Sequence, residues 1–396
     1  MAIKVLYISG LSSKRILDYL YNTSQRKPMY SIQKFHRLLV EGLKHNHAEV
    51  KVLSSIPVSP THKKKLWHSI TNIENGVEYK TIPFLNFSII KQICIFIYAF
   101  LYTFTWGIKS TNEKRLICDV LNISICLGAL SAAKLLGLKA TGIVTDMPGL
   151  MVGINNKSHI QKFITAINKS YLSSFDSYIL LTEYMNPIIN TKNKPYIIME
   201  GLVDSEMELC QHDDFNTLAE RVVIYAGGLY ERYGVKMLLD AFMQTPFTNV
   251  RFDIYGSGDM SAVMNEYQKQ DSRIHYYGVV PNDTIVEAEL KSTLLINPRP
   301  THEEFTKYSF PSKNMEYMVS GTPVLTTKLP GMPKEYYKYV FLFDNESIDG
   351  YQKTLTQVLS LSNKDLYLKG KSAKEFVLKN KNNIIQAKHV IELLQM

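Results

Sequence analysis

Residues 308–325 read YSFPSKNMEYMVSGTPVL. Pro311 and Ser312 mark a helix N-terminus, Gly321 supplies its stop, and Pro323, Val324 and Leu325 begin an apolar strand. The first helical turn offers unpaired backbone N–H groups and the positive end of the helix dipole to an anion, with the Lys313 ammonium beside them. Glu316 lies one turn further in, on the side of Ser312, where a carboxylate accepts hydrogen bonds from hydroxyls such as those of a ribose. Phosphate at the helix tip and a diol one turn deeper point to a nucleotide-sugar. An ordinary capped helix, with Lys313 and Glu316 solvated, fits the same letters.

Outward from this stretch, apolar strands are expected at residues 222–226, 250–255, 274–278, 294–298 and 340–343, with amphipathic helices near 351–361 and 373–394. The turns that end these strands carry Gly227-Gly228, Gly256 and Val279. The first half alternates in the same way. Strands at 3–9, 49–53, 115–121, 140–145, 177–181 and 195–199 are separated by helices near 31–44, 124–136 and 159–174, the first after a polar loop with Lys14, Arg15, Arg26 and Lys27. Such alternation predicts parallel sheets. Gly10 ends the first strand without a GxGxxG, which disfavours a dinucleotide site. Asp146 stands at a strand's carboxyl end before Pro148-Gly149, where α/β ligand clefts form; a turn or N-cap aspartate is the alternative.

The chain of 396 residues suits two domains. A formal charge of +9 favours anionic partners, from nucleic acid to anionic lipid or phosphorylated substrates, without choosing among them. Cys94, Cys118, Cys126 and Cys210 show neither metal-ligand nor disulfide-framework spacing, and scattered thiols predict a reducing compartment. The start, MAIKVLYISG, runs straight into a strand without signal-peptide regions, so a cytoplasmic location is expected. Residues 87–108, FSIIKQICIFIYAFLYTFTWGI, are uncharged only from Gln92 on, short of the ~20 residues that span a bilayer. A core helix, or a helix entering the lipid interface with Lys63, Lys64, Lys65 and Lys91 on its flank, fits them equally.

The 308–325 stretch, with what precedes it, resembles the donor-site signature of retaining glycosyltransferases of family 4, a GT-B group, and in particular a branch making bacterial surface polysaccharides. The usual signature has two glutamates eight positions apart. Here the second is Glu316 and the first falls on Tyr308, which leaves Tyr308, Glu303 or Glu304 to meet the sugar. Residues 227–242, GGLYERYGVKMLLDAF, resemble the strand–loop–helix that grips the donor diphosphate, but Gly228 and Tyr233 stand where that family carries Arg and Lys. Arg232 and Lys236 are the natural substitutes. The resemblance implies an α/β GT-B fold of two Rossmann-like domains whose parallel sheets face an interdomain cleft. Residues 1–204 would bind the acceptor, residues 205–375 the donor, and a helix at 376–396 would pack back towards the first domain; the polar run at 205–221, with Asp213-Asp214, reads as the linker.

Donor binding is thereby expected at Gly227, Gly228, Arg232, Lys236, Gly256, Val279, Tyr308, Ser312, Lys313 and Glu316. Gly10 and Asp146 fall on the acceptor side, with Asp146 and Glu316 in catalytic roles. The implied reaction moves a sugar, with retention, from a nucleotide-diphosphate sugar to a hydroxyl of a lipid-linked glycan in cell-surface polysaccharide synthesis. Without an Asp-x-Asp signature, neither metal nor cofactor is expected, and an anionic membrane surface is the further partner. A sugar-nucleotide epimerase and an inactive nucleotide-sugar-binding relic of the same fold are the alternatives; nucleic-acid binding lacks any aromatic-basic module.

Overall fold

The computed structural model describes residues 3–108, 113–147, 170–209 and 220–396. They form two compact units, Met1–Leu202 with Asn383–Met396, and Val203–Asn382. The first unit is built on β1 (Lys4–Ser9), β2 (Glu49–Ser54), β4 (Thr71–Glu74), β5 (Val77–Thr81), β7 (Lys114–Asp119), β8 (Lys139–Val144), β9 (Ser177–Leu180) and β10 (Tyr196–Ile198), in the order β10-β9-β8-β7-β1-β2-β5-β4. All neighbours are parallel except the β4–β5 hairpin, which turns at Asn75-Gly76. β3 (Leu66–Trp67) and β6 (Phe84–Leu85) pair separately. Along β1, Val5 and Tyr7 on one face and Leu6 and Ile8 on the other are fully buried. Burial on both faces is what makes such strands read as continuous apolar runs.

The helices that cover this sheet are α1 (Lys14–Thr23), α2 (Tyr30–His45), α3 (Ser88–Ile108), α4 (Ile123–Leu135) and the short α5 (Asn186–Ile189). α1 replaces part of the expected polar loop. Its cations Lys14 and Arg15 are exposed while Ile16, Leu17 and Leu20 form a buried stripe. α3 and α4 lie in close contact because Gly128 has no side chain; a Cβ there would come within 2.3 Å of the Phe96 carbonyl oxygen.

The second unit holds β11 (Arg221–Ala226), β12 (Val250–Tyr255), β13 (Ile274–Gly278), β14 (Leu294–Asn297), β15 (Val324–Thr326) and β16 (Phe341–Leu342) in the order β13-β12-β11-β14-β15-β16. Every pairing is parallel. Its helices are α6 (Val235–Met243), α7 (Met264–Gln270), α8 (Asn282–Lys291), α9 (Ser312–Ser320), α10 (Ile348–Leu359) and α11 (Asn363–Asn380), and α12 (Asn383–Gln395) returns to the first unit. The single helix expected at 373–394 is therefore two. It breaks at Lys381, whose carbonyl accepts the Val203 N–H and whose ammonium pairs with Glu335 at 2.8 Å. In the first unit α12 lies on α2, where Asn46 donates to the Ile384 carbonyl.

Among the described parallel strands each sheet reverses its order at one place: β1 and β7 in the first unit, β11 and β14 in the second. The carboxyl ends of such strand pairs are where open α/β sheets bind ligands. The helix contact beside the first is open to test. Gly128→Ala should lower the unfolding free energy by about 1–3 kcal/mol, as overpacking does, and urea denaturation followed by circular dichroism measures it.

Candidate functional site

In the second unit, α9 lies across the carboxyl ends of β11 and β14. The buried Tyr317 hydroxyl donates to the Ala226 carbonyl at 3.2 Å and accepts from the Ala226 N–H at 3.0 Å. The Asn297 amide donates to Asn314 Oδ1 at 2.7 Å, while the buried Asn314 amide nitrogen has no partner among the described residues. Pro311 is the N-cap of α9, no described side chain caps its first turn, and Ser312 is exposed. Gly321 at φ 83° ends it, as a left-handed C-terminal glycine does. Beyond β11, the Tyr225 hydroxyl donates to the Gly228 carbonyl at 2.7 Å and pins the Gly227-Gly228 turn. Gly234 then starts α6 at φ 80°, where a Cβ would meet the Pro298 carbonyl oxygen at 2.2 Å.

Two guanidinium groups share one aromatic ring at this place. Arg299, just after Pro298 at the end of β14, stands 4.7 Å from the Tyr233 ring centroid and 5.5 Å from that of Phe305. Arg232 stands 5.3 Å from the same Tyr233 ring and 5.5 Å from Tyr230. Among the described residues no carboxylate pairs with either. Burial lowers the Arg299 pKa and the Arg232 charge lowers it further, against the ring hydroxyls of Tyr233 and Tyr225. Two like charges on one ring, Arg299 partly buried and Arg232 exposed, attract an anion.

Lys236 goes elsewhere. It pairs with Asp240 at 2.9 Å, one turn along the exposed side of α6, so Arg299 stands with Arg232 where Lys236 was expected. The sequence signal for Arg299 was its position, one residue past Pro298 at the end of a strand.

Lys313 also differs from its expected posture beside the helix tip. Its ammonium is drawn along α9 to Glu316 at 2.7 Å and across to Glu289 of α8 at 3.3 Å. Burial alone would lower its pKa, but Glu316 and then Glu289 outweigh this and hold it above the ordinary lysine value. The Glu289 side chain is only 3% exposed, so Lys313 neutralises a buried charge as well as orienting Glu316.

The other predicted residues are spread over several strand ends. Gly256 follows β12 at φ 130°, and a Cβ there would strike the Gly227 carbonyl at 1.8 Å, which keeps two site turns in contact. Val279, past β13, is 75% exposed. Tyr308, half-buried, follows the single turn Glu304–Lys307; Glu304 is exposed, and Glu303 lies 3.7 Å from His302. In the first unit Gly10 follows β1, its carbonyl accepting the Gln33 amide at 2.9 Å. Asp146 follows β8 and accepts the Met147 N–H at 2.7 Å; burial raises its pKa, and that hydrogen bond offsets part of the rise. Pro148, Gly149, most of the helix expected at 159–174 and Asp213-Asp214 lie outside the described residues.

No local pattern marked the buried set at the other switch point. There His36 stands 2.6 Å from the Tyr7 hydroxyl and 3.2 Å from Asp119. Beside it a cavity of about 490 Å³ is lined by Ser55, Val58, Lys91, Gln92, Asn122 and Ser124, among others. Among the described residues no group of three His, Cys, Asp or Glu side chains is arranged to hold a metal ion.

Residues 220–360 match the family model described as Glycosyl transferases group 1. No sequence among curated proteins matches the chain. Among solved structures it is similar to a sucrose-phosphate synthase from Thermosynechococcus elongatus, with a TM-score of 0.67, 12% identity and coverage of 99% of this chain and 98% of that one. The Anabaena protein HepE in complex with UDP and glucose gives 0.60, 13% identity and 99% of both chains. WaaG, a glycosyltransferase involved in lipopolysaccharide biosynthesis, gives 0.58, 12% identity, 100% of this chain and 99% of the other. The fold is the GT-B architecture of these glycosyltransferases, and the glycosyltransferase family match lies in residues 220–360. The matched domain lies in the second unit and contains β11, β14, α9 and both guanidinium groups.

The ion triad yields a stability test. Lys313→Ala leaves Glu289 buried without its ammonium and should cost about 3–5 kcal/mol. Adding Glu289→Gln should recover much of that loss, as read by chemical denaturation of the single and double variants.

Proposed function

We propose that the protein is a retaining glycosyltransferase that moves a sugar from a nucleotide-diphosphate sugar, bound by the second unit, to a hydroxyl of a lipid-linked glycan in surface-polysaccharide synthesis. The observation that carries this reading is the Arg232–Arg299 pair on Tyr233, unmatched by carboxylate among the described residues, at the switch point crossed by α9. A diphosphate is the anion whose size and charge answer two guanidiniums and an uncapped helix start together. The structural neighbour HepE, solved with UDP and with UDP-glucose, supports the same ligand class.

In this reading Arg232, Arg299, the Gly227-Gly228 backbone and the first amides of α9 at Ser312 and Lys313 hold the diphosphate. Glu316, oriented by Lys313, accepts hydroxyl hydrogen bonds from the donor. The bond between the anomeric carbon and the phosphate oxygen breaks with its electron pair leaving on the diphosphate, whose growing charge the guanidiniums stabilise. The acceptor oxygen then bonds to the anomeric carbon on the same face, and its proton leaves to a base. Asp146 is the first unit's candidate for that base, and its raised pKa suits proton uptake.

The test is incubation with a panel of UDP- and GDP-sugars and a lipid-linked acceptor. Release of nucleotide diphosphate coupled to acceptor glycosylation supports transfer; binding without turnover, or an isomerised donor, overturns it. In the same assay Glu316→Ala should cut turnover by about tenfold or more. Arg299→Ala and Arg232→Ala should each weaken UDP binding by roughly 10–100-fold by calorimetry, the scale of a lost charge-assisted hydrogen bond, with Lys236→Ala near wild type. Asp146→Asn should lower kcat by about 10²–10⁴-fold. In the wild type kcat/KM should fall as pH drops through a pKa above the ordinary aspartate value, because protonation removes the base; a pH–rate profile of both proteins checks this.

A further inference from the structure

α3 turns a stripe of aliphatic side chains outward and a lysine inward. Ile89, Ile93, Ile97, Leu101 and Ile108 form its outward stripe, each at least half exposed. Its buried stripe is Lys91, Ile95, Ala99 and Thr103. A helix facing water has the reverse pattern. The exposed apolar surface continues at the start of α3 through Phe87 and the cross-strand pair Leu66 and Leu85. Large continuous apolar surface of this kind marks an interaction site.

The occupant is indicated by charge. Lys63, Lys64 and Lys65 are exposed beside this patch, and the Lys65 ammonium lies 5.8 Å from the Phe87 ring centroid. No Asp or Glu occurs between residues 55 and 70 or between residues 82 and 108. A symmetric contact with a second copy would set this patch against itself, leaving the lysines without acidic partners. A surface with apolar depth and anionic headgroups meets both demands.

By length and composition α3 could cross a membrane, but its packing fixes it flat on the unit. The Lys91 ammonium donates to the Val58 carbonyl at 2.7 Å, and that of Lys114 to the Trp106 and Gly107 carbonyls at 2.5 and 2.8 Å. Gly128 holds α4 against the middle of the helix, and β7, which follows, pairs with β1 at the heart of the sheet.

We propose that this face docks in plane on a bilayer containing anionic lipid. The outward stripe of α3 with Phe87, Leu85 and Leu66 enters the acyl boundary, and Lys63, Lys64 and Lys65 meet the headgroups. The cavity walled by Lys91, Gln92 and Ile95 lies at the first turns of α3. Docking sets it beside the lipid surface, where a lipid-linked acceptor would present its sugar. That last link rests on the proposed function; the docking does not.

The experiment is flotation of the full chain with vesicles of phosphatidylcholine, alone or with phosphatidylglycerol. Wild type should float with the anionic vesicles and lose binding at high salt. The triple variant Lys63→Glu, Lys64→Glu, Lys65→Glu should bind them about a hundredfold or more weaker, and Ile93→Glu with Ile97→Glu at least about tenfold weaker. Both sets lie on exposed positions, and UDP calorimetry with thermal melts in each variant reads folding and the second unit separately. Absence of flotation by wild type, unchanged binding in both folded variants, or a stable dimer abolished by the isoleucine substitutions would overturn the docking. Lost UDP binding with flotation intact would count against the transferase reading instead.

Discussion

One tyrosine hydroxyl decides where the candidate donor site lies. Tyr317 reaches from the middle of α9 to the last residue of β11 and satisfies both the N–H and the C=O of Ala226. A backbone group at a strand's end, buried without a partner, costs as much as a lost hydrogen bond, so this side chain substitutes for a neighbouring strand. Its pKa is driven far above the usual tyrosine value, by burial first and then by Glu289, so it stays a neutral hydroxyl able to donate and accept at once. With Tyr317 anchored, the start of α9 can only lie beside the Gly227-Gly228 turn and the end of β14. The Asn297–Asn314 contact fixes the second point of that line.

Charge is then distributed unevenly around α9. On the α8 side, Lys313 is matched by two carboxylates, one of them almost fully buried, so this cluster has little attraction left for an anion. On the strand-end side, Arg232 and Arg299 lean on an aromatic ring. A ring face attracts a cation but cannot neutralise it. The local field therefore points an incoming diphosphate to the arginines, while Lys313 fixes Glu316 behind them. Arginine suits the stacked position because its planar fork keeps donors free while its face lies on the ring.

The strands were legible because both faces of each sheet are buried, which writes them as apolar runs, whereas helix-end chemistry left residues 308–325 open between a nucleotide-sugar site and an ordinary capped helix until the family resemblance chose. What escaped depended on distant partners. The break at Lys381 is made by Val203, nearly 180 residues earlier in the chain. The α1 helix was hidden behind its own exposed cations, whereas its stripe of Ile16, Leu17 and Leu20 was present to be counted. Lys236 and Lys313 looked like free cations, yet Asp240 at i+4 and Glu316 at i+3 stood in the sequence as partners. The only local mark of Arg299 was its place at a strand's end. Its role rests on Tyr233 and Phe305, which only the folded chain brings to it.

The inverted helix α3 shows the same logic at a surface. A lysine buried under a helix costs desolvation, and Lys91 is pushed down to about 8 for that reason. An isoleucine at that inward position and a lysine on the outward stripe would be the cheaper arrangement in water, since lysine keeps its charge solvated. α3 instead buries Lys91 and Thr103 together with Ile95 and Ala99 and turns Ile89, Ile93 and Ile97 outward. Solubility in water alone does not favour such an order, but a neighbouring phase that takes up aliphatic side chains does. Outward isoleucines then lower the free energy of docking, and an inward stripe anchored through Lys91 to Val58 and packed on α4 prevents the helix from leaving the fold to cross that phase.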